Sequence, residues 1–128
     1  MKIVFIFAHP DDEAYGPAGT IHKLANAGHS VSVVVMCKGN RPGAEEVCDD
    51  RMEAFKKSCS SLGATGTMFL NSDCKLKYGE TLKQIEGVIN DLQPEVVYTH
   101  NISDIHKDHR LVAECVIVAT RPKPESSI

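Results

Sequence analysis

The sequence lacks what several large functional classes require. It has no Cys-x-x-Cys pair, and its five cysteines, Cys37, Cys48, Cys59, Cys74 and Cys115, are odd in number and widely spaced. That pattern excludes a disulfide framework and a zinc knuckle and leaves free thiols in a reducing compartment. There is no basic stripe, and the formal net charge of −3 argues against a nucleic-acid partner. Neither G-x-G-x-x-G nor a Walker lysine is present, so no phosphate cradle is expected. Hydrophobic runs are short. The first, Ile3 to Phe7, is cut off by His9 and a group of acids, which suits neither a signal peptide nor a bilayer span. These absences point to a cytoplasmic protein with no membrane partner.

What is present alternates between two periodicities. Residues 2–7 form a continuous apolar run, the mark of a strand covered on both faces. A helix is expected over 17–27, with Ile21, Leu24 and Ala25 on one side and Gly28 as its stop. Ser30 to Cys37 reads as a second strand, and residues 38–48 as a polar loop. A helix over 49–62 carries Met52, Phe55, Cys59 and Leu62 at helical spacing. Thr67 to Leu70 is a short third strand. Residues 79–92 read as a helix ended by Pro94, Glu95 to Thr99 as a fourth strand, and 107–119 as a last helix. One domain over 1–122 with a frayed tail at 123–128 is expected. Repeated β-α units imply an α/β, Rossmann-like, doubly wound parallel sheet in three α/β/α layers, with strand order 3-2-1-4.

That order makes strands one and four neighbours at the point where the winding reverses, and ligands bind outside the carboxyl ends of strands at such a point. The segments that follow those two strands are the two unusual ones. Ala8-His9-Pro10-Asp11-Asp12-Glu13 holds one imidazole and three carboxylates, and His100, His106 and His109 fall within ten residues. Imidazole and carboxylate without thiolate suit Zn²⁺ or another divalent first-row metal. His9, Asp12 and His109 can supply two nitrogens and a carboxylate, leaving a position for water whose pKa the metal lowers to about 7. Asp11 is then available as a general base. His106 can stabilise an oxyanion or protonate a leaving group, and Asp108 can orient an imidazole from behind the ligands.

The pair of motifs, Ala-His-Pro-Asp-Asp-Glu after the first strand and Asp104-Ile-His106-Lys-Asp108-His109 late in the chain, resembles the LmbE/PIG-L family of metal-dependent N-deacetylases. The resemblance runs from Met1 to about Pro122. It implies removal of an N-acetyl group from an amino sugar or glycoside by attack of metal-activated water, with a small N-acetylated sugar as substrate and Zn²⁺ as cofactor. It also implies a metal triad of His9, Asp12 and His109, with Asp11 as base, His106 as the group polarising the carbonyl and Asp108 as a supporting acid. Arg51, at the start of the second predicted helix, and Asp73, after the third strand, fall where the family contacts sugar. Family members continue past the Ala119–Pro122 segment with further strands. The sequence therefore reads as a truncated or compact form, with strand four an exposed edge and a homo-oligomer available to complete the pocket.

Other readings stand beside these. Asp11, Asp12 and Glu13 can cap a helix. Arg51 can be an exposed helix residue and Asp73 a turn former. His22 and His29 read as surface histidines, and His100 as either a cleft residue or a structural one. Gly16 and Gly19 are expected to let a helix pack closely on the sheet. Two rival functions remain: a catalytically impaired metal- or sugar-binding form, and another metallohydrolase such as a phosphoesterase.

Overall fold

A computed structural model of the chain describes residues 1–39 and 48–122. The expected polar loop lies almost wholly outside the described residues, as does the 123–128 tail. Among the described residues, nine elements follow one another: β1 (Lys2–Phe7), α1 (Asp12–Tyr15), α2 (Ala18–Asn26), β2 (Ser30–Cys37), α3 (Cys48–Ser61), β3 (Thr65–Asn71), α4 (Tyr78–Leu92), β4 (Val96–Tyr98) and α5 (Lys107–Ala119). The four strands form one parallel sheet in the order β3-β2-β1-β4, as the alternating pattern implied.

Side-chain alternation along the strands divides the core in two. Ile3, Phe5 and Phe7 of β1, with Val31, Val33 and Val35 of β2, face a layer made by Ile21 of α2 and Phe55 and Cys59 of α3. Val4, Ile6 and Ala8, with Val34 and Met36, face the opposite layer, which holds Ile85 of α4 and Val112, Cys115, Val116 and Ala119 of α5. Because both faces are covered, β1 and β2 carry apolar residues at nearly every position rather than at alternate ones. The helical residues named from spacing, among them Leu24, Met52, Leu62, Leu82, Val88 and Leu92, all pack against one layer or the other.

Several boundaries differ from expectation, each for a physical reason. β3 begins at Thr65 because the Ser32–Thr65 and Val33–Gly66 pairings extend its ladder. Gly66 admits α3 closely here, since a Cβ would stand 2.9 Å from the Phe55 ring and 3.0 Å from Cys59 Sγ. β4 is shorter than expected, and only Val96, Val97 and Tyr98 pair with β1. The one-turn helix α1 has too few residues to show a period. Gly16 and Gly19 do not serve close packing: a Cβ on either meets no atom within 4 Å. His22 and His29 have local partners, Asn26 and the amino terminus respectively. Among the described residues, no helix is long and apolar enough to cross a membrane. The four described thiols, Cys37, Cys59, Cys74 and Cys115, are free.

Candidate metal centre

The carboxyl ends of β1 and β4 lie side by side, and the segments leaving them interlock. Past β1, the chain turns back on itself so that the His9 N–H donates to Asp12 Oδ2 at 2.8 Å. Asp11, between them, adopts φ +83° and is exposed. It occupies the N-cap position of α1, yet its side chain makes no capping bond. Asp12, for its part, reaches backward to the strand end. Helix capping therefore does not account for these two carboxylates.

Past β4, three hydrogen bonds tie the chain to β1 and to itself. Thr99 Oγ1 donates to the Ile6 carbonyl at 2.8 Å, and His100 Nε2 accepts from the Ala8 N–H at 2.9 Å. Asp104 Oδ1 accepts from the His106 N–H at 2.9 Å. His106 caps α5, its Nδ1 accepting from the Asp108 N–H at 3.1 Å. One helical turn then sets His106 and His109 with their rings stacked, centroids 4.6 Å apart.

The result is a cluster of four imidazoles. His9 lies 4.8 Å from His106 and 5.3 Å from His109, and His100 stacks on His109 at 3.8 Å, all between ring centroids. Their hydrogen bonds sort them into two kinds. His9 Nε2 is held at 2.9 Å by Asp108 Oδ2, and His109 Nδ1 at 3.1 Å by Asp104 Oδ2. An ionised carboxylate only accepts, so each of these nitrogens carries the proton. In the neutral ring that a metal requires, the opposite nitrogens, His9 Nδ1 and His109 Nε2, are the ones that offer lone pairs, and they lie 3.7 Å and 3.5 Å from the same Asp12 Oδ2. His100 and His106 are the reverse case. Each spends one lone pair accepting a backbone N–H, which in the neutral ring puts the proton on the other nitrogen, Nδ1 of His100 and Nε2 of His106.

This set fits a divalent first-row metal. Tetrahedral ligands at bond lengths of about 2.0–2.1 Å are separated by about 3.3 Å, close to the separations around Asp12 Oδ2. Asp108 and Asp104 stand behind the two lone-pair-bearing rings, as carboxylates behind metal-ligating histidines commonly do. Among the described residues, the groups whose ligand-type atoms all lie within 4.8 Å of one another are His9 with His106 and His109, Asp12 with His100 and His109, His9 with Cys37 and Asp73, and Cys74 with His106 and Asp108; the expected triad is split between the first two.

Charge in the cluster is uneven. Burial works against protonation of His9, but its bonds to Asp108 and Asp12 outweigh that and push its pKa up to about 10. Burial, helped by repulsion from His109, pushes His100 down to about 4. Burial also lowers His106, with repulsion from His9 and His109 adding to it. Although burial opposes ionisation of Asp12, its bonds to His9 hold its carboxyl below the usual range. Asp108 is held low in the same way by its bonds to His9 and to the Cys74 N–H.

Arg51 and Asp73 meet one strand further along. Asp73 Oδ1 accepts from the Gly39 N–H at 3.0 Å, beyond the end of β2. Gly39 has φ +76°, and a Cβ there would come within 2.9 Å of Arg51 Nη1. Burial raises the Asp73 carboxyl even though His9 and Arg51 attract its charge. Arg51 lies on the third helix rather than the second, because α1 precedes it. Sequence reasoning left His100 undecided, gave Asp104 no role and read Cys37 and Cys74 only as free thiols. Asp104 was visible as the first residue of the second motif, five residues before His109, but without a partner. Cavities of about 390 Å³ and 100 Å³ lie elsewhere, one beside β4 and α5 and the other at the amino ends of β1 and β2.

The architecture and motifs have relatives. A family described as PIG-L, GlcNAc-PI de-N-acetylase, matches residues 4–120. The chain belongs to the PIG-L family. Among its PIG-L relatives, the uncharacterized deacetylase YaiS of Escherichia coli K12 is 31% identical over 131 residues, which cover 96% of this chain and 70% of that protein. The diacetylchitobiose deacetylase of Thermococcus kodakarensis is 32% identical over 120 residues, 85% of this chain and 45% of that protein. The solved structure of N,N'-diacetylchitobiose deacetylase from Pyrococcus horikoshii superposes with a TM-score of 0.83 at 27% identity, over 92% of this chain and 48% of that one. This chain thus spans 70% of the length of the first of these relatives, 45% of the second and 48% of the solved structure's chain.

Proposed function

We propose that this PIG-L chain is a metal-dependent amidohydrolase that removes the acetyl group from an N-acetylated amino sugar or glycoside, with Zn²⁺ as its ion. Relatives that are deacetylases support the reaction class. The observation that carries the reading for these particular residues is the sorting of the imidazoles. Hydrogen bonds to Asp108 and Asp104 place the proton of each neutral ring on the far nitrogen, so that His9 Nδ1 and His109 Nε2 are the lone-pair donors, and both stand beside Asp12. His9, Asp12 and His109 would hold the ion. Their nitrogen and carboxylate donors suit zinc.

When bound, such an ion supplies Lewis acidity toward a carbonyl oxygen and lowers the pKa of water to about 7. The chain's own groups do the rest. Asp11, exposed beside the ligand Asp12, accepts the proton of the attacking water. His106, with Nδ1 committed to the α5 cap, keeps an Nε2–H in the neutral ring and donates it to the carbonyl oxygen as negative charge gathers there. The amide C–N bond then breaks, and Asp11 passes its proton to the departing nitrogen, giving acetate and a free amine. Asp108 keeps His9 in the tautomer that ligates. Arg51 and Asp73 would contact the sugar, one with its guanidinium and one as a hydrogen-bond acceptor.

The test couples elemental analysis to acetate release from a panel of N-acetyl sugars. One equivalent of zinc per chain and acetate release from an N-acetylglucosamine derivative are expected. Metal at full occupancy with no acetate from any member of the panel would overturn the proposed reaction while leaving the metal site standing. Asp11→Ala should retain metal and lose about 10²–10⁴-fold in rate; normal turnover would remove Asp11 as the base.

A further inference from the structure

The metal face proposed above uses nitrogen and oxygen donors alone, yet a thiol stands on the other side of the same cluster. Cys74 follows Asp73 in the turn after β3 and is exposed. Its backbone is held at φ +62°, and its N–H donates to Asp108 Oδ2 at 2.8 Å. A ligand atom of Cys74 lies within 4.8 Å of one from His106 and one from Asp108. This trio shares no residue with His9, Asp12 and His109, although Asp108 touches His9. The three come from two separated segments, the turn after β3 and the first turn of α5, which the fold fixes against each other through Asp108.

We propose that Cys74, His106 and Asp108 form a second, weaker site for a thiophilic divalent cation, and that its occupation stops the reaction at the first. The donor set names the ion class: one thiolate, one imidazole and one carboxylate favour Zn²⁺ or Cd²⁺ over Mg²⁺ or Mn²⁺. Two costs make it the weaker site. The thiol must lose its proton, and His106 must give up either the α5 cap on Nδ1 or the proton on Nε2. The inhibition follows from what the ion takes. An ion on His106 Nε2 removes the donor to the substrate carbonyl, and an ion on Nδ1 releases the ring from the α5 cap that aims that donor. Asp108 held His9, and a carboxylate shared with a cation holds it less well. The inhibitory half of the inference rests on the deacetylase reading, but the binding half does not.

Two measurements separate them. Co²⁺ titrated into the metal-free chain should bind in two steps. The first should give no thiolate-to-metal charge-transfer band and the second should give one. In Cys74→Ser the first step should remain unchanged and the band should vanish. A band that accompanies the first equivalent, that survives Cys74→Ser or that vanishes instead in Cys37→Ser would overturn the assignment, as would its absence from the wild-type chain. With an active substrate, excess Zn²⁺ should inhibit the wild-type chain at least 10-fold and leave Cys74→Ser at its starting rate. Equal inhibition of the two would overturn the inhibitory role even if the band behaves as expected.

Discussion

β1 and β4 each deliver half of the candidate metal centre, but they hold it by different means. β1 is six residues long, and five of them are buried. It pairs on both sides and packs on both faces, so His9 and Asp12 leave from the most enclosed strand of the sheet. β4 has three residues, none fully buried, and Tyr98 is 40% exposed. It contributes a ring stacked on Phe5 at 4.5 Å and two half-buried valines, Val96 and Val97, one to each layer. Its half of the site is secured by hydrogen bonds: Thr99 donates to β1, His100 accepts from the Ala8 N–H just past it, Asp104 accepts from His106 and His109, and Arg110 donates to the Asp104 and Ile105 carbonyls. One functional surface can thus rest half on packing and half on a polar network, and the two halves should fail differently.

The sharpest way to break the comparison is Phe5→Ala. It removes a ring that is 1% exposed and should cost about 3–5 kcal/mol of stability by urea unfolding. A loss below about 1 kcal/mol would mean that β1 is not anchored by packing. Asp108→Asn should cost less. The fold should persist while metal affinity, measured by chelator competition, drops about 10–100-fold. Affinity equal to wild type would show that the Asp108–His9 bond does not set the ligating tautomer. At the small end, Tyr98→Ala should cost about 0.5–1.5 kcal/mol, the range of a ring pair with modest burial. A cost as large as that of Phe5→Ala would erase the distinction between the strands.

pH distinguishes the halves in the metal-free chain. His9 has its pKa raised to about 10, so its contribution is fully present below the unfolded value of about 6.5 and is lost as pH rises through 10. His100 has its pKa lowered to about 4, so the unfolded chain takes up its proton first. Stability from His100 is therefore lost as pH falls from about 6.5 toward 4. Urea midpoints should decline on both sides, and His100→Gln should flatten the decline between pH 6.5 and 4 while leaving the alkaline one. An unchanged acid limb in that variant would assign it to other groups.

The same contrast explains what the sequence made legible. β1 announces itself as an unbroken apolar run because burial on both faces permits nothing else. α5 was readable to its boundaries because Val112, Cys115, Val116 and Ala119 repeat at helical spacing. The topology followed from the alternation of elements, and it alone brought the His9 and His109 segments together. The network on the β4 side was not legible. Which nitrogen of which histidine carries a proton depends on contacts such as Ala8 to His100 that join residues 92 apart in sequence. The proximity of Cys74 to His106 depends on a turn whose residues show no period. Gly16 and Gly19 misled because glycine in a helix suggests close approach only when something lies opposite.

Asp11 stands with φ +83°, where a residue with a side chain is strained by about 1–2 kcal/mol. Glycine there would relieve the strain and would also delete the carboxylate. Asp11→Gly should therefore raise or hold the unfolding midpoint while losing the rate that Asp11→Ala loses. At this one position the chain folds less tightly than it could, and the proposed base is what the concession retains. A screen for more stable variants would reward the loss of activity here.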